Sequence, residues 1–135
     1  MSVVYASTLK TNRLNLVNDT INSKTINAST GTGSAGQLVI GTSALSGATG
    51  VLATLPLNNP AGTVSGNTFT LNASGVSVSA SATGTAALAE LRTNTGTTVV
   101  SGLTVGTSGT DIVISSTAVS SGQTVTLTSG SITHG

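Results

Sequence analysis

The sequence predicts a mainly β protein: an antiparallel β-sandwich or jelly-roll-like barrel of seven or eight short strands, preceded by an N-terminal arm and a short helix. Two observations support this fold class. From Gln37 onward, apolar residues alternate with Thr, Ser, Asn or Gly, which is the period of a strand with one buried face. Turn-forming residues interrupt the alternation at roughly ten-residue intervals, as they do in sandwiches and barrels.

The first 36 residues differ from the rest of the chain. We expect a short extended arm that carries Val3, Val4 and Tyr5, followed by a helix over residues 8–22 capped by Ser7 or Thr8. Long or apolar side chains recur there at three- and four-residue steps, which is typical of one helix face. The members of that face are Leu9, Arg13, Leu16, Val17 and Ile21.

A Gly-, Ser- and Thr-rich stretch over residues 27–36 then predicts a flexible linker. The chain therefore divides into an arm, helix and linker over residues 1–36 and a β-sandwich domain over residues 37–135.

The predicted strands follow in order along the β-domain. Their inward positions are Leu38 and Ile40; Val51, Ala53, Leu55 and Leu57; Phe69, Leu71 and Ala73; Val76, Val78, Ala80 and Ala82; Ala87, Ala89 and Leu91; Val99, Ser101, Leu103 and Val105; Ile112 and Ile114; and Val125 and Leu127. Turns are expected between them, at Asn59-Pro60 for example. In the last strand Leu127 and Ile132 have opposite parity, so we expect a bulge at Ser129-Gly130 that returns them to one face.

The composition narrows the functional classes. Charged residues make up 5% of the chain, and the net charge is +1. Nucleic acids and anionic membranes bind clusters of Lys and Arg, which are absent, so neither is an expected partner. General acids, bases and metal ligands are scarce and cysteine is absent. We therefore predict no enzyme activity and no catalytic, cofactor-binding or metal site.

The start of the chain lacks the basic, apolar pattern of a signal peptide. No stretch approaches the ~20 apolar residues of a membrane span. We expect a soluble chain made in the cytoplasm of its host cell.

Individual motifs have simple structural interpretations. Residues 31–36 fit G-x-G-x-x-G, but the dinucleotide motif needs a preceding strand and a following helix. His134 lies one residue from the C-terminus, where a general base would not be held in place. Asp111 is expected to cap a turn through its side chain. Glu90 and Arg92 have outward parity, which predicts an exposed pair of little energetic value.

Ser, Thr and Gly account for 63 of the 135 residues. Ordered rows of Thr are one feature of ice-binding surfaces, but the T-x-T groups recur here without a fixed spacing, which disfavours that hypothesis. A surface of small, uncharged side chains costs little desolvation and little rotamer entropy when it is buried against another protein. Such a surface suits a subunit that is placed many times on a symmetric assembly.

Several short stretches occur in one order along most of the chain. They are STLKTNRL at 7–14, LATLPLNNP at 52–60, ATGTA at 82–86, VGTSGTD at 105–111, GQTVTLTS at 122–129 and IT at 132–133. Together they resemble a family of small tailed-bacteriophage virion proteins that decorate or cement the capsid. Members of that family often carry a Trp-Phe pair where this chain has Ala87-Leu88. The core of this chain is therefore expected to contain smaller side chains at that point.

The resemblance implies a decoration protein on the capsid surface of the virion, commonly a trimer at three-fold or quasi-three-fold positions. Its implied partners are the major capsid protein and further copies of itself. We expect Val3, Val4, Tyr5, Leu9 and Arg13 to form the contact of the arm and helix with neighbouring subunits or the shell. The alternative is a tail or fibre receptor-binding β-module, which would normally show a recognition surface rich in Tyr, Trp or Arg.

Overall fold

The computed structural model describes residues 6–22, 34–58, 61–72 and 75–133. These contain one helix, α1 (Ser7–Ile21), and eleven strands: β1 (Gln37–Ser46), β2 (Thr49–Pro56), β3 (Gly62–Ser65), β4 (Thr68–Leu71), β5 (Ser77–Ser79), β6 (Gly84–Thr85), β7 (Leu88–Arg92), β8 (Thr98–Gly106), β9 (Ile112–Ile114), β10 (Ala118–Val119) and β11 (Thr124–Thr133). The predicted mainly β class with a short N-terminal helix is confirmed. The alternation of apolar residues did not predict three of the strands, because they are too short to show it. These are β3, β6 and β10, which have four, two and two residues.

The strands form one large sheet and one small sheet. The large sheet has the order β2-β1-β7-β8-β9-β11-β4-β3, with β5 also paired to β11, and β10 pairs with β6 in the small sheet. All pairs are antiparallel except β8 with β9, where Val105 lies opposite Ile112 in parallel register. The sheet is therefore mixed, and the fold is consistent with a β-sandwich.

The register aligns apolar side chains in rows across four neighbouring strands. One row is formed by Leu55, Leu38, Leu91 and Val100, and the next by Ala53, Ile40, Ala89 and Leu103. Paired residues point to the same side of a sheet, so these rows make one continuous apolar face. The core continues through Phe69, Ile112, Ile114 and Leu127, each below 2% exposure.

The bulge predicted in the last strand is present, although one residue earlier than expected. Leu127 lies opposite Ile114 and Ser129 lies opposite Val113, so Thr128 is the extra residue. Because one extra residue reverses the parity of everything after it, Ile132 packs against the same core as Leu127.

The helix begins one residue earlier and ends one residue earlier than predicted. Its N-cap is Ala6, which makes no side-chain capping bond, so the expected cap at Ser7 or Thr8 is wrong. The helix face predicted from the spacing is only partly right, because Ile21 is buried while Leu9 is 40% exposed. The buried Leu14 was not among the residues of that face. Leu14 and Ile21, two turns apart, face the sheet since α1 packs against β3, β4 and β8.

Leu14 and Ile21 belong to the same apolar cluster as the strands. The helix is therefore a structural part of the β-domain core. No helix in the described ranges is both long enough and apolar enough to span a membrane.

Candidate interaction surface

None of the six charged residues in the described ranges is fully exposed. Asp19, Glu90 and Arg92 are buried, and Lys10, Arg13 and Asp111 are half-buried. The exposed positions of the described strands are mostly Ser, Thr, Gly and Ala. The exposed surface of the described strands is thus dominated by hydroxyl, methyl and backbone groups.

Glu90 and Arg92 form a buried ion pair, which corrects the expectation that they are exposed. Each residue is 8% exposed. Arg92 donates to Glu90 Oε2 from Nη2 at 2.7 Å and from Nε at 2.9 Å. Thr98 Oγ1 donates to the same oxygen at 3.1 Å. Both charges therefore have partners inside the chain, and their role is structural.

The β1–β2 hairpin covers the ion pair. Arg92 Nη2 also donates to the carbonyl oxygen of Gly47, in the hairpin turn, at 2.8 Å. Gly41 pairs with Leu88, and at ~3.3 Å per residue that point lies roughly 13 Å along β7 from Arg92. The hairpin tip must therefore fold back over the outer face of β7 to reach the guanidinium.

Gly41 permits this reversal. A Cβ at position 41 would lie 2.6 Å from Leu45 Cδ1 and 2.6 Å from the carbonyl oxygen of Gly50. The tip can pack closely on the sheet only because that atom is missing. The hairpin tip therefore covers the face of β7 that points away from the apolar core. Glu90 and Arg92 lie on that face, and this is why they are buried despite their outward parity.

Asp111 closes the loop between β8 and β9, as predicted. Its Oδ2 accepts hydrogen bonds from the backbone nitrogen and from Oγ1 of Thr104, both at 3.1 Å. In return the backbone nitrogen of Asp111 donates to Thr104 Oγ1 at 3.1 Å. These hydrogen bonds hold Asp111 beside Thr104. The next residue, Ile112, can therefore pair in parallel with Val105 of β8.

The helix covers one edge of the large sheet. Strand β3 is terminal in the sheet order, so it presents unpaired backbone groups on its outer side. Thr11 Oγ1 donates to the carbonyl oxygen of Gly66, just beyond β3, and Asn18 Nδ2 donates to that of Gly62 at 3.3 Å. Two polar side chains seven residues apart on α1 thus bond to backbone oxygens at the two ends of this edge.

The opposite edge, β2, is covered in a different way. Ser81 donates to the carbonyl oxygen of Leu52 from its backbone nitrogen at 2.8 Å and from Oγ at 3.3 Å. The strand ends at Pro56, which has no N–H to offer an incoming strand. Both edge strands, β2 and β3, are therefore partly covered, which hinders the pairing of a further strand with either edge.

The sheet pairing brings together hydroxyl groups that are scattered in the sequence. On the outer side of β3, β4 and β11, one row consists of Thr63, Thr70 and Ser131, and the next of Ser65, Thr68 and Thr133. All except the half-buried Thr68 are exposed. Sequence reasoning missed this uncharged hydroxyl patch because the strand order places the last strand beside an early hairpin.

The residues predicted to contact a partner are only partly described. Val3, Val4 and Tyr5 lie outside the described residues, as does His134. Leu9 is exposed on α1, and Arg13, one turn later, is half-buried. The two lie on neighbouring turns of one helix surface, which begins immediately after the predicted arm.

Within the described ranges, no group of three or more His, Cys, Asp or Glu residues is placed to hold a metal ion. No family model, curated protein or solved structure matches the chain.

Proposed function

We propose that this chain is a structural protein of a tailed-phage virion that binds the outside of the capsid and cements the shell as a trimer. The observation that carries the proposal is the scarcity of exposed charge among the described residues, where Asp19, Glu90 and Arg92 are buried and no charged residue is fully exposed. Uncharged hydroxyl and methyl groups cost less to desolvate on contact with another protein than charged groups do. The resemblance of the sequence to capsid decoration proteins supports the same function.

The mechanism is thermodynamic. A protein that binds several major capsid protein subunits at once favours the assembled shell by mass action, because it binds that state and not the separated subunits. Three copies joined in a trimer would strengthen weak individual contacts through their high effective concentration. The contact is assigned to the arm residues Val3, Val4 and Tyr5 and to Leu9 and Arg13 on the adjoining helix surface.

The first experiment measures the copy number of this chain in purified virions by quantitative mass spectrometry against the major capsid protein. Hundreds of copies support a place on the capsid lattice. A handful would place it in the tail or fibre, and absence from the virion would overturn the proposal.

The second experiment tests the contact itself by the heat resistance of capsids after rebinding. A deletion of residues 1–24 would also remove Leu14 and Ile21 from the core, so it would confuse binding with folding. Deletion of residues 1–5 and the substitution Leu9→Ser remove none of the described core side chains. Both are expected to weaken capsid binding and heat protection, whereas Ala118→Ser, at an exposed position on β10, is the matched control. Unchanged binding by both variants would overturn the assigned contact.

A further inference from the structure

We draw no further inference here: the strongest candidate, the uncharged hydroxyl patch on the outer side of β3, β4 and β11, carries none because nothing in the structure shows what covers it.

Discussion

Arg92 donates from both Nη2 and Nε to one carboxylate oxygen of Glu90, at 2.7 and 2.9 Å. The two residues stand on the opposite face of β7 from Ala89 and Leu91, and yet they are as buried as a core side chain. The folded-back β1–β2 hairpin, held by Gly47, covers them. Removal of either charge would leave the other buried without its partner, which is strongly destabilising.

The first prediction concerns loss of one partner of this pair. Arg92→Met should lower the free energy of unfolding by ~3–5 kcal/mol, because it leaves the Glu90 carboxylate buried without its cation. Urea unfolding with linear extrapolation measures the change. The double variant Glu90→Leu/Arg92→Met is the control and should recover most of the loss, since two apolar side chains have no charge to desolvate. A loss below about 1 kcal/mol in the single variant would contradict burial of the pair.

The second prediction concerns the loop closed by Asp111 and Thr104. Asp111→Ala removes the acceptor of two hydrogen bonds and should lower the free energy of unfolding by about 1–2 kcal/mol. Asp111→Asn keeps a side-chain oxygen in the same place and should lose about half as much or less. Thermal unfolding of the three proteins checks this order. An Asp111→Ala protein as stable as the parent would show that the loop closes without the carboxylate.

The third prediction concerns the close packing of the end of α1 against Gly36. Gly36→Ala places a Cβ 2.5 Å from Ile21 Cγ2, so the helix end must shift, at a cost of about 1–3 kcal/mol. The same Cβ would lie 2.7 Å from the carbonyl oxygen of Arg92, at the end of β7. Hydrogen exchange should therefore be faster in α1 and at that end of β7 than in the parent. Gly47→Ala is the control, since nothing lies within 4 Å of a Cβ at that position. Its effect comes from the positive φ of +57° and should leave exchange in α1 unchanged.

The sequence was sufficient for the fold class because burial of one strand face leaves a period-two pattern. Ala89 and Leu91 were correctly placed in the core by that pattern, and the parity of Leu127 and Ile132 revealed the bulge. The parity of Glu90 and Arg92 was also read correctly, but parity does not say whether the outer face is covered. The covering hairpin tip depends on a reversal near Gly41, and a glycine alone does not specify what packs against it.

The helix surface shows a second limit of sequence reasoning. Leu9 and Leu14 both fit faces with three- and four-residue spacing, and the choice between them depends on where the helix meets β3, β4 and β8. The hydroxyl patch on β3, β4 and β11 was not predictable because it depends on strand order. Val3, Val4 and Tyr5 remain predicted contact residues, outside the described residues.

The last prediction concerns the covered edge of β3. Thr11 and Asn18 donate to the carbonyl oxygens of Gly66 and Gly62, and replacing them with the apolar side chains Val and Leu removes both bonds. At about 1 kcal/mol for each bond, each single substitution should speed local exchange of the β3 amides about fivefold. Hydrogen exchange followed by mass spectrometry over residues 62–71 measures the effect.

Thr63→Val is the matched control for Thr11→Val, because it makes the same chemical change at an exposed position on β3 itself. It should leave exchange near the parent rate. The double variant Thr11→Val/Asn18→Leu should also self-associate at lower concentration than the parent, since an uncovered edge strand pairs with other chains. Equal exchange and equal association in the double variant and the control would show that α1 does not protect this edge, because both readouts depend on the same two bonds.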